Sequence, residues 1–174
     1  NKGLKALAFL ELDVELSSIT ESLKFLNVYL DAFEGMKLDG AGEIQGRIVF
    51  SQGKLLQQSK IDILAHALSL KLLDYQVEGE GNIHIDVPKR EPDAANPETH
   101  FAIAFNSLDA FYASSETPLL TGNGLVFNGV GTNNIIPLNG KRPEARSLAL
   151  SIASLKVPDL SAFQRYLPKK WAFQ

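Results

Sequence analysis

The sequence predicts a mainly β fold: a strongly curved antiparallel sheet, of β-groove or sandwich-like form, carrying two short helices. Three observations lead there. Long stretches alternate apolar and polar residues with period two, the repeat of a strand with one dry and one wet face. One stretch spaces its apolar residues by three and four, and Pro158 and Pro168 bracket a second short helix. An apolar-x-Gly-x-Gly-x-apolar signature recurs in three of the strands. The 174 residues fit a single β-rich domain, 1–174.

Composition narrows the function classes. Apolar residues make up 45% and charged residues 21%, with mean hydropathy -0.02, so the chain is expected to fold and stay soluble. Its longest apolar stretches, such as Ala67 to Leu73, are interrupted by Ser69 and Lys71 and fall short of the roughly 20 residues of a spanning helix. Net charge is -3 with Lys and Arg scattered along the chain, which leaves no basic stripe for a phosphate backbone; nucleic acid is not an expected partner. Absence of cysteine removes disulfides, thiolate nucleophiles and Cys-based metal sites, and leaves the compartment open. The chain begins at Asn1 without the basic-then-apolar form of a signal peptide, and is expected to be cut from a longer protein.

Taken in order, Ala6 to Leu16 sets Leu10, Leu12, Val14 and Leu16 against Glu11, Asp13 and Glu15, a half-buried strand with an acidic face. The period then changes: Ile19, Leu23, Leu26, Leu30 and Phe33 are spaced by four, three, four and three, which gathers them on one side of a helix. Ser18 with Glu21 makes a capping box, and Gly35 supplies the left-handed residue that ends the helix. Met36 to Phe50 returns to alternation, a long strand with its glycines on the apolar face. Ser51 to Gly53 reads as a turn, and a strand around Ile61, Ile63 and Ala65 leads into Leu68, Leu70 and Leu72. Tyr75 to Val87 alternates almost perfectly. Pro88 to Thr99, with three prolines, reads as an exposed loop. Phe101, Ile103 and Phe105 open a further strand, Leu119 to Val130 another, and Asn128 to Arg142 reads as a loop. Leu148, Leu150 and Ile152 define a last full strand before the Pro158 to Pro168 helix.

The shared signature is Leu38-x-Gly40-x-Gly42-x-Ile44, Val77-x-Gly79-x-Gly81-x-Ile83 and Leu120-x-Gly122-x-Gly124-x-Val126. A longer echo sets the strand ending at Leu16 and the helix with Asn27, Tyr29 and Leu30 against a strand ending near Val157 and Gln164, Tyr166 and Leu167, at one constant offset. Together these read as a repetitive parent; the plainer alternative is that alternation plus glycine generates chance matches in any β protein.

Little in the chain points to covalent chemistry. The glycine pairs lie inside alternating strands, with no helix N-terminus to face a phosphate, so they are not nucleotide fingerprints. Removing side chains from the apolar face, they leave a trough that admits another backbone, a packed helix or an elongated ligand. His66, His84 and His100 form no recognisable metal spacing, and no G-x-S-x-G elbow is present. We therefore expect a non-enzymatic protein without cofactor or metal.

The run Leu38-x-Gly40-x-Gly42-x-Ile44-x-Gly46, the run Leu72-Leu73-Asp74-Tyr75-x-Val77-x-Gly79-x-Gly81 and the strand followed by a Leu-Asn/Gln-x-Tyr-Leu helix resemble the AsmA-like and TamB-like envelope proteins of Gram-negative bacteria. The resemblance covers most of the chain but consists of patterns. It implies a slice of a long periplasmic β-groove, its parent anchored in the inner membrane, acting in lipid transport towards the outer membrane and envelope biogenesis. The expected partners are phospholipid acyl chains, other segments of the same parent chain and envelope proteins. The candidate lipid-binding groove is Leu38, Gly40, Gly42, Ile44 and Ile48 on one strand with Val77, Gly79, Gly81, Ile83 and Ile85 on another. The competing reading is a structural or adhesive β module with no ligand groove, its apolar faces consumed by internal packing.

Overall fold

A computed structural model of the chain describes residues 9–30, 33, 35–88, 98–112, 115–133 and 144–158. Nine strands form one antiparallel sheet: β1 (Glu11–Thr20), β2 (Met36–Ser51), β3 (Lys54–Leu55), β4 (Lys60–Leu72), β5 (Tyr75–Asp86), β6 (Glu98–Tyr112), β7 (Leu120–Thr132), β8 (Ala145–Ser151) and β9 (Ser154–Lys156). The order is β1-β2-β4-β5-β6-β7-β8, with β3 paired to β2 and β9 to β7. The long alternating runs form β2, β4 and β5, because a period of two in a sheet with one dry face leaves only one register that hides the aliphatic row.

Cross-strand rows make the core. Ile44, Ile63, Ile83, Ile103 and Phe127 stand opposite one another across β2, β4, β5, β6 and β7. A second row runs through Ile61, Ile85 and Phe101, and a third through Leu38, Leu70, Val77 and Ala110. Directly opposed β-branched and aromatic side chains stabilise a sheet by roughly 0.2–1 kcal/mol a pair.

The strong curvature expected from the glycines is not found: the sheet is open and not strongly curled. What the glycines accommodate is a line of bulges. β4 carries one extra residue between Ala65 and Leu68, and β6 one between Phe105 and Leu108, so His66-Ala67 and Asn106-Ser107 both face outward in succession. The flanking strands meet these bulges with glycine. A Cβ at Gly40 would overlap the Ala67 carbonyl oxygen, and one at Gly81 the Ala104 carbonyl oxygen.

The helix expected over Ile19 to Phe33 is cut short. β1 continues through Ile19, which pairs with Glu43, and the Ser18 hydroxyl donates to the neighbouring Ile19 carbonyl instead of capping a helix. Only a 3-10 turn, Lys24–Leu26, and a four-residue helix α1, Asn27–Leu30, follow. The three-four spacing is nevertheless used, since Leu23, Leu26 and Leu30 are buried against the sheet. Gly35, at φ 78°, turns the chain into β2. The supposed loop from Asn128 begins later, with Asn128 to Thr132 still in β7, and Glu98 and Thr99 already belong to β6. Residues 89–97 of the proline-rich loop and nearly all of the Pro158 to Pro168 helix lie outside the described residues.

One end of the sheet is tied across. The Leu55 N–H donates to the Asn133 carbonyl at 3.0 Å, and the Asn133 amide donates to the Leu55 carbonyl at 2.8 Å. Both residues are buried, and the tie joins the β2–β3 hairpin to the end of β7, past the ends of β4, β5 and β6.

Candidate functional site: the apolar face and its margins

The candidate groove residues share one face, as their alternation requires. Leu38, Ile44, Val77, Ile83 and Ile85 all belong to the core cluster, each exposed by 8% or less, and Ile48 packs half-buried against it. This row is interior, not an open trough. Against these glycines lies neighbouring backbone: Gly42 faces the Leu64 carbonyl oxygen and Gly79 that of Ser107, besides the contacts of Gly40 and Gly81.

At the near end the face is covered by the segment joining β1 to β2. β1 stops at Thr20, opposite Gly42, so on that side the β2 backbone at Leu38 and Gly40 has no strand partner among the described residues. The segment stands in for one. The Leu23 N–H donates to the Gly40 carbonyl at 2.9 Å. Asn27 meets Leu38 twice, its amide donating to the Leu38 carbonyl at 2.9 Å while its side-chain oxygen accepts the Leu38 N–H at 2.7 Å. One side chain thus reproduces the reciprocal exchange of an antiparallel pair and leaves no backbone group orphaned. Beyond α1, Phe33 reaches Phe101 of β6 edge-on, with ring centroids 5.0 Å apart.

The same face carries exposed leucines at the sheet's two sides. Leu148 and Leu150 of β8 stand opposite Gly129 and Phe127 and continue two of the core rows, and Leu12 of β1 stands opposite the buried Phe50. Exposure there rises from 40% at Leu12 to 62% at Leu150, and Leu155 of β9 is also exposed. Alternation located these strands but carried no sign of what covers them, which depends on long-range packing.

The opposite face is charged. Arg47 grips Asp13 through two hydrogen bonds, of 2.8 and 2.6 Å, and holds the carboxyl below its ordinary range. Lys24, bonded to Asp39 at 3.0 Å, does the same to that group. Partial burial pushes the Asp62 carboxyl up, but hydrogen bonds from Lys60 and His84 outweigh it and leave it lowered. His84 lies 2.6 Å from Asp62 and 3.4 Å from Asp86, His66 pairs with Glu43, and Arg146 with Glu98. Among the described residues no group of three or more His, Asp or Glu side chains converges as a metal-binding set. One depression on this face, of about 470 Å³, lies between Glu78, Asp109, Asn123 and Lys156.

Comparison with protein-family models, with curated proteins and with solved structures returns no match, so any functional reading rests on the chain's own residues.

Proposed function

We propose that this chain is a non-catalytic segment of a periplasmic envelope protein that shelters lipid acyl chains against an apolar β-sheet face during transfer towards the outer membrane. The observation that supports it is an apolar face shared by successive strands that reaches the β8 side with Leu148 and Leu150 exposed, while Leu12 is exposed on the β1 side. The likeness of its glycine-patterned strands to AsmA-like and TamB-like proteins supports the same reading. The parent would be anchored in the inner membrane, and the partners would be phospholipid acyl chains, further segments of the same chain and other envelope proteins. No bond is made or broken and no cofactor is needed.

Magnitudes permit it. Burying about eight methylenes of an acyl chain at about 0.8 kcal/mol each contributes about 6 kcal/mol. Leu23, Leu26 and Leu30, at roughly 2 kcal/mol apiece, contribute about the same where they lie on the face now.

A structural β module is the second reading, and the burial of Leu38, Ile44, Val77, Ile83 and Ile85 favours it. Protein purified from Gram-negative cells and extracted into organic solvent separates the two. We expect copurifying phospholipid in near-stoichiometric amount and saturable binding of an apolar fluorescent probe; protein free of lipid and blind to the probe would leave only the scaffold.

A further inference from the structure

We propose that residues 21–30 are a displaceable strap over the near end of the apolar face, with Asn27 as its latch, and that an acyl chain takes the strap's place. The identity of the displacing ligand rests on the lipid reading above.

The strap's inner side is as greasy as the surface it hides. Leu23, Leu26 and Leu30 are buried in the same cluster as Leu38, Ile44 and Val77, while Glu21, Ser22, Lys24 and Phe25 face water. Lifted away, it would expose aliphatic side chains of β2 and its neighbours, the surface a hydrocarbon tail fits.

Its hold is narrow. A 3-10 turn and four helical residues are far too short to be helical without the sheet beneath them, so the strap has no fold of its own to lose. Among the described elements its backbone comes substantially close to β2 alone. Among the described residues the polar ties sit together on Leu38, Asp39 and Gly40: the two Asn27 bonds, the Leu23 N–H to Gly40, the Ser22 hydroxyl to Asp39 at 3.2 Å, and the Lys24 ion pair with Asp39. Both partners of that ion pair are largely in solvent, where such pairs hold weakly. Asn27 is the strongest tie and the one that alone satisfies the Leu38 backbone.

A reversible lock tests this. The chain has no cysteine, so Ser22→Cys with Asp39→Cys gives one disulfide, formed or reduced in the same protein. The probe is a fluorescent fatty acid of palmitate length, titrated into the oxidised and reduced forms and into Asn27→Ala. We expect the oxidised form to bind about tenfold more weakly than its reduced self, and N27A about tenfold more tightly than the parent, since the competent fraction multiplies affinity. Equal affinity of oxidised and reduced forms would overturn the strap while leaving lipid binding at the margins intact. Absence of binding in every form would overturn the lipid reading, and the strap's ligand with it. Should N27A fail to fold, the comparison of oxidised with reduced protein decides alone.

Discussion

The middle of the sheet and its two sides are built from the same kind of strand yet end in opposite states. Ile83 and Leu150 belong to one cross-strand row, separated only by β6 and β7, but Ile83 is 2% exposed and Leu150 62%. In the middle, the apolar rows are buried in one cluster, which Leu23, Leu26 and Leu30 join at its near end. At β1 and β8 the alternation persists, and among the described residues nothing covers Leu12, Leu148 or Leu150. Alternation therefore specifies which face is dry-seeking, and the connecting segments decide where it is dry.

Substitutions should separate the two regions. The largest contrast is between glycines. Gly81→Val would drive a side chain into the Ala104 carbonyl at the bulge line, and we expect a loss of about 3 kcal/mol or more, or no folded protein; Gly131→Ala, beside β8, should cost less than about 1 kcal/mol. Chemical denaturation reads both. Next come leucines: Leu70→Ala in the core should cost about 3 kcal/mol, and Leu150→Ala within about 0.5 kcal/mol of nothing. Equal costs would mean that β8 is as covered as the centre. Asn133→Ala should cost about 2 kcal/mol and accelerate hydrogen exchange at the Leu55 amide, whose partner strand end it loosens.

The smallest expected effect is electrostatic and belongs to the β1 side. Arg47 lowers the folded-state pKa of Asp13, so the pair's contribution is present above the unfolded carboxylate pKa and is lost as pH falls through the depressed folded value. The pair is solvent-exposed, and Arg47→Met should flatten the acid limb of a thermal-stability profile only slightly while leaving neutral pH almost unmoved.

Much of this architecture was legible in the residues, and the failures have identifiable causes. β2, β4 and β5 follow from period two, because their inward positions are filled by apolar residues or glycine. Ile19 misled: its spacing to Leu23 fits a helix, but it sits on the outer face of an edge strand, where an exposed isoleucine carries no burial signal. The bulges did leave a trace, since the apolar parity shifts from Ala65 to Leu68 and from Phe105 to Leu108, each across two consecutive outward residues. The glycine signature was visible, but not its use, which lies in carbonyl groups of the adjacent strand. Asn27 and Asn133 could not be read at all, because an asparagine that completes a ladder is defined by the backbone it meets.

The most direct test is photolabelling with a phospholipid whose acyl end carries a diazirine, followed by peptide mapping. We expect label on the margins, at Leu12 and from Leu148 to Leu155, and on the strap around Leu23 and Leu26. Label confined to the outer face around Leu64, or none above a lipid-free background, would contradict an apolar face that shelters hydrocarbon.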